Sequence, residues 1–116
     1  MSITVYGIKN CSTVKKALAW FYDHDVAYDF HDYKKIAPDT DVLKQAIDQH
    51  GWENVINRRG TTWHKLSDDV KNSTNADNAI DLAIKNPSII KRPLITYDDS
   101  IILGFDMDKY EQAFIK

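Results

Sequence analysis

Ile3-Thr4-Val5-Tyr6-Gly7-Ile8-Lys9-Asn10-Cys11-Ser12-Thr13-Val14 is the stretch on which the fold turns. Its first four residues are β-branched or aromatic, the composition of a strand. From Val14 the apolar spacing changes, and Val14, Leu18 and Phe21 fall on one helical face. Cys11, the single cysteine of the chain, sits at the handover. A thiol there meets unpaired backbone N–H groups and the positive end of the helix dipole. Both favour the thiolate, which is the nucleophilic form. Lys9, Lys15 and Lys16 add positive charge nearby. The competing reading is a small buried core residue, because free cysteine is among the most buried residue types.

Working outward, Ala27-Tyr28-Asp29-Phe30-His31-Asp32-Tyr33 alternates aromatic with polar residues and reads as a second strand. Strand, helix and strand in succession make a βαβ unit with a parallel pair. Pro38-Asp39 opens another helix, capped by Asp39 or Thr40, with Leu43, Ala46 and Ile47 on one face and Gly51 as its stop. From Trp52 to Thr74 the pattern is less regular, with Thr62 as the candidate cap of a short helix running through Leu66 and Val70. Asn75 caps a helix carrying Ala79, Ile80, Ala83 and Ile84, which Pro87 halts. Leu94–Tyr97 and Ser100–Leu103 flank the turn signal Asp98-Asp99 and read as a hairpin. Gly104 breaks the chain, and a last helix from Asp106 presents Met107, Tyr110 and Phe114. The order βα, βα, further helices, ββα predicts a thioredoxin-like α/β fold with a four-stranded mixed sheet. The expectation is one domain over residues 1–116, with a helical insertion over roughly residues 38–86.

Composition narrows the function classes. At 116 residues, 43% hydrophobic and 28% charged, the chain has the make-up of a soluble globular domain. A net charge of −2 gives no basic footprint, so no direct nucleic-acid binding is expected. Residues Tyr22 to Tyr33 gather aromatics and acids and would repel phosphate. A lone cysteine forms no internal disulfide, which suits a reducing compartment, and a cytoplasmic location is expected. No run approaches membrane-spanning length, and no basic segment with an apolar run opens the chain, so no membrane association is expected. His24 with Asp23 and Asp25, and His31 with Asp32, lack ligand spacing, so no metal is expected.

Four segments resemble a known family in their order: Tyr6-Gly7-Ile8-Lys9-Asn10-Cys11-Ser12-Thr13-Val14-Lys15-Lys16-Ala17, then Arg58-Arg59-Gly60-Thr61-Thr62-Trp63, then Lys91-Arg92-Pro93-Leu94, then Gly104-Phe105. They resemble the arsenate reductase (ArsC) family, and within it the Spx/YffB-type branch, nearly end to end. The resemblance implies that Cys11 attacks an oxyanion or a disulfide sulfur and that glutathione or a glutaredoxin-type thiol resolves the adduct. It implies that Pro93 is a cis-proline facing the cysteine and that Arg92 binds the anionic substrate. It also implies a second arginine, matched better by Arg58 than by its neighbour Arg59. Gly60 would let that loop turn, with Thr61 and Thr62 as caps.

Lys15, one turn past Cys11, could hold an anion or remain a solvated surface charge. Asn10, Ser12 and Thr13 offer hydrogen bonds to the sulfur or a ligand, and loop or capping roles suit them equally.

Two departures from the family pattern matter. Val14 stands where the second cysteine of a CxxC motif would be, so an adduct on Cys11 cannot be resolved within the loop. Leu103-Gly104-Phe105 occupies the place of the third arginine of arsenate-reducing members. Its absence removes a charge-assisted contact worth roughly 1.5–3 kcal/mol. The expected function is therefore a monomeric glutathione-dependent thiol oxidoreductase with no bound cofactor. Glutathione would be its co-substrate, glutaredoxin a further partner, and a disulfide or oxyanion its substrate. The alternatives are arsenate reductase proper and a Spx-like regulator that binds RNA polymerase.

Overall fold

The computed structural model describes residues 2–115. In chain order its elements are β1 (Ile3–Gly7), α1 (Ser12–Asp23), β2 (Asp29–Asp32), α2 (Thr40–His50), α3 (Trp52–Val55), α4 (Thr61–His64), α5 (Asp68–Ser73), α6 (Ala76–Lys85), a 3-10 turn (Pro87–Ile89), β3 (Leu94–Tyr97), β4 (Ser100–Leu103) and α7 (Met107–Phe114). They divide into two compact units, residues 1–36 with 92–116, and residues 37–91.

The first unit is built on a four-stranded mixed sheet ordered β2-β1-β3-β4. β1 pairs parallel with β2, as a βαβ crossover requires, and antiparallel with β3, which forms a hairpin with β4. Register explains the core. Val5 lies opposite Ile95, and Ile95 opposite Ile102, so all three point to one face. Ala17, Trp20 and Phe21 of α1 and Tyr110 of α7 are buried on that face. Burying a side chain as large as Phe21 removes it wholly from water and stabilises by roughly 1.5–3 kcal/mol.

The second unit is helical. Asp39 caps α2, its carboxylate accepting from the Asp41 and Val42 N–H groups at 2.9 and 3.3 Å. Gly51 ends that helix at φ 84°, a backbone state that side chains with a Cβ rarely adopt. Asn75 and Asn78 close a reciprocal capping box at the start of α6. Leu43, Ala46 and Ile47 of α2 and Ala79 and Ala83 of α6 are buried as their spacing predicts.

Several local expectations are corrected. The helix expected from Thr62 through Val70 is two helices, because the Ser67 hydroxyl accepts from the Val70 N–H and starts α5 afresh. Neither Thr61 nor Thr62 caps α4, and Gly60 has an ordinary φ of −78°. A Cβ at Gly60 would instead come within 3.1 Å of the Asn57 amide nitrogen. β2 is shorter than Ala27–Tyr33, since its pairing with β1 starts at Asp29 opposite Thr4. Met107 is exposed, because it heads the first turn of α7 while Tyr110 and Phe114 reach the core.

Candidate functional site

Cys11 is the N-cap residue of α1, extended at φ −134° and ψ 126°, and its half-buried side chain makes no capping hydrogen bond. Its carbonyl accepts from the Lys15 N–H at 2.9 Å, so the helix begins on its backbone while the thiol stays unengaged there. The first turn of α1 holds no acidic residue, which leaves the positive end of the helix uncompensated beside the sulfur. Asn10 and Ser12 are exposed and Thr13 half-buried around it, and Lys15 is exposed one turn along. The handover from strand to helix depends on Gly7. A Cβ there would lie 3.0 Å from Cγ2 of Val14, a fully buried and rotamer-restricted side chain. Gly7→Ala should therefore destabilise by about 1–3 kcal/mol through overpacking, read as a lower urea midpoint. An unchanged midpoint would show that Val14 has room to yield.

The loop before β3 supplies the second part. Arg92 is half-buried, Pro93 is buried, and the peptide bond between them is cis. Leu94 pairs with Tyr6, so this loop lies beside the end of β1 from which the cysteine loop departs. The Pro93 carbonyl accepts from the Gly104 N–H at 2.8 Å, and the Gly104 carbonyl accepts from the buried Tyr110 hydroxyl at 2.7 Å. Gly104 has φ 77°, so the residue joining these contacts is one whose backbone only glycine adopts freely.

Tyr33 was not anticipated as part of this region. Its N–H donates to the Gly7 carbonyl at 2.9 Å, and its ring stacks on Tyr6 with centroids 6.4 Å apart. Burial first, and then the neighbouring Tyr6, push its phenol well above the ordinary tyrosine range, with the Arg92 guanidinium opposing them. Tyr33 is thus a neutral hydroxyl in the electrostatic reach of Arg92. Tyr33 follows β2 two residues after His31, and its ring gathers with those of Tyr6 and His31; the aromatic–polar alternation of Ala27–Tyr33 is the signal in the sequence.

Arg58 belongs to the second unit, where its guanidinium lies 3.5 Å from the Glu53 carboxylate and 5.6 Å from the centre of the Trp52 ring. Arg59, through its backbone N–H, donates to the Asn57 side-chain oxygen at 3.2 Å. Both arginines are exposed and share a cleft of about 490 Å³ with Asn57 and Lys91. Among the described residues no group of three His, Cys, Asp or Glu side chains could hold a metal ion. None of the described helices is long and apolar enough to cross a membrane.

Comparison with known proteins places this geometry. A solved structure of the YFFB protein superposes with a TM-score of 0.94 at 42% identity, covering 97% of this chain and 99% of its own. An arsenate reductase (ArsC) related protein from Brucella melitensis is 44% identical, with a TM-score of 0.75 over 97% of this chain and 93% of its own. The global transcriptional regulator Spx of Streptococcus pyogenes is 30% identical over 115 residues, 97% of this chain and 84% of that protein. The fold is the thioredoxin-like α/β fold of these relatives. The ArsC family model matches residues 6–113, and the chain belongs to that family.

Proposed function

We propose that the protein is a glutathione-dependent thiol oxidoreductase that works through Cys11 alone and relies on an external thiol to regenerate it. One observation carries this reading. Cys11 is reachable at the N-cap of α1, whereas the position three residues on, where a resolving thiol would stand, is the fully buried Val14. The Cys11 thiolate attacks the glutathione sulfur of a mixed disulfide, forming a Cys11–glutathione disulfide. The former partner leaves as a thiolate and takes up a proton. A second glutathione thiolate then attacks the glutathione sulfur of that adduct, releasing the Cys11 thiolate and oxidised glutathione. Each step breaks one S–S bond and forms another.

Arg92 would bind a glutathione carboxylate through its planar fork of N–H donors, next to Pro93. Asn10, Ser12, Thr13 and Lys15 would complete the anion's surroundings. Chemistry of this kind suits a reducing compartment such as the cytoplasm.

The test is mass spectrometry after exposure to oxidised glutathione. A single glutathione adduct on Cys11, removed by reduced glutathione, is expected. No adduct, or one that reduced glutathione leaves in place, would end the reading. Arg92→Ala should raise KM for glutathione about tenfold, or 1.4 kcal/mol. Arg92→Lys should recover only part of that, because an ammonium lacks the fork. Unchanged KM in both variants would remove Arg92 from the site.

The likeness to Spx supports a second reading, a non-enzymatic regulator that binds RNA polymerase. The absence of a second cysteine at Val14 weighs against it. Retention of this protein on purified polymerase, with no thiol turnover, would favour the regulator.

A further inference from the structure

The end of α1 carries charges that work against the helix. Asp23 is its last residue, His24 its C-cap, and no basic residue lies in the last turn. The stop itself is a well-formed Schellman motif. The Asp25 N–H donates to the Tyr22 carbonyl at 3.3 Å and the Val26 N–H to the Phe21 carbonyl at 3.0 Å, with Val26 and Phe21 in the same apolar cluster. Glycine is the usual residue at the left-handed position of such a motif, yet Asp25 fills it at φ 56°. Two carboxylates thus stand at the negative end of a twelve-residue helix, where cations are the stabilising choice, and Asp29 opens the strand that follows. No described lysine or arginine forms an ion pair with any of the three. From Ala17 to Tyr33 the sequence holds no lysine or arginine at all.

The same corner exposes aromatic surface. Tyr22 is 83% exposed and Tyr28 37%, and together with Phe21, Asp25 and Val26 they line a groove of about 380 Å³. The Tyr28 ring sits 5.2 Å from that of Phe21, which joins the groove to the core. A tyrosine left in water gains little for folding, and carboxylates at this helix end cost stability. Both become favourable when a cation is brought between them, through charge-assisted contacts and attraction to the ring faces.

We propose that this corner, the groove lined by Tyr22, Asp25 and Tyr28 with exposed Asp23 and Asp29 adjoining Tyr22 and Tyr28 in the chain, is a docking surface for a basic peptide segment of a partner protein. The segment would carry lysine or arginine next to an apolar side chain. Charge complementarity selects this occupant. A second copy of the chain would bring the same carboxylates against themselves, and an anionic lipid or nucleic acid would be repelled.

The surface is tested by selecting phage-displayed random peptides on the intact protein and measuring the winners by fluorescence polarisation. Enriched peptides should contain a basic residue beside an apolar one and should bind more weakly as sodium chloride is raised. Tyr22→Ser, and separately Asp23→Asn with Asp25→Gly, should each weaken binding about tenfold or more. Thermal melts supply an independent readout. The double variant removes charge from the wrong end of the helix and restores glycine at the left-handed position. Its Tm should therefore rise by about 1–4 °C while binding is lost. Enrichment of acidic or uncharged peptides, or of none, would overturn the proposal. So would full binding by the variants, or a double variant that melts no higher than the wild type. Reversible dimerisation that Tyr22→Ser abolishes would assign the groove to a second copy and overturn it likewise.

Discussion

Cys11→Ser should abolish turnover of glutathionylated substrates, by at least about three orders of magnitude, and leave the fold intact or slightly more stable. The loss follows from the chemistry. A serine hydroxyl remains protonated at neutral pH and has no general base beside it in the loop of Asn10, Ser12 and Thr13. The stability expectation follows from the position. Cys11 is an N-cap whose side chain makes no capping hydrogen bond, in the extended backbone state that a capping residue needs. Serine is among the preferred residues there, since its oxygen accepts a first-turn N–H, and such a cap contributes about 1 kcal/mol. The serine variant should therefore melt at the same temperature or a few degrees higher while losing all turnover. This pairing of outcomes separates a nucleophile from a structural cysteine. A small core residue would show the reverse, with activity kept and stability reduced. Turnover surviving in the serine variant would move the chemistry away from Cys11.

The first unit was legible because two local signals agree. The β-branched run of β1 gives way to helical spacing at α1, and Asp98 and Asp99 separate two apolar runs that pair as β3 and β4. Caps read equally well where a side chain can satisfy its own helix, as at Asp39 and Asn75. What sequence could not supply was anything fixed by contact between distant segments. The reach of Tyr33 to Arg92 and the linkage from Pro93 through Gly104 to Tyr110 depend on which segments lie side by side, and the close approach of Val14 to Gly7 depends on the path of the loop between them. Periodicity placed each residue on an element without saying what faced it. Thr62 misled for a related reason. A threonine before an apolar run resembles a cap, but Ser67 competes a few residues later and wins the longer of the two helices. Motif alignment names Arg58 without its surroundings, which place Glu53 and Trp52 beside the guanidinium.

Arsenate should be a poor substrate, with kcat/KM roughly ten- to a hundredfold below that for a glutathionylated substrate when glutaredoxin is supplied in both assays. Stabilising a tetrahedral oxyanion calls for donors on several sides, and of the three arginines the family resemblance implies, this sequence matches only two, Arg92 and Arg58. One missing charge-assisted contact of about 1.5–3 kcal/mol sets the expected deficit. A mixed disulfide needs only a reachable thiolate and a carboxylate contact, so it escapes that penalty. The resemblance puts the missing arginine at Gly104 or Phe105, and the two positions differ in what they tolerate. Gly104 is buried at φ 77°, with its N–H committed to Pro93 and its carbonyl to Tyr110. Gly104→Arg should therefore cost about 1–2 kcal/mol in stability before it contributes any binding. Phe105 is half-buried, with its ring edge-to-face on Tyr110 at 5.3 Å and no comparable backbone constraint. Phe105→Arg is accordingly the variant that should raise arsenate turnover while leaving disulfide exchange unchanged. Its fold must be checked by thermal melting, since the Tyr110 contact is lost. Efficient arsenate reduction by the unmodified protein would show that two arginines, Arg92 and Arg58, suffice for the oxyanion. The missing arginine would then carry no weight, and arsenate would displace the mixed disulfide as the preferred substrate.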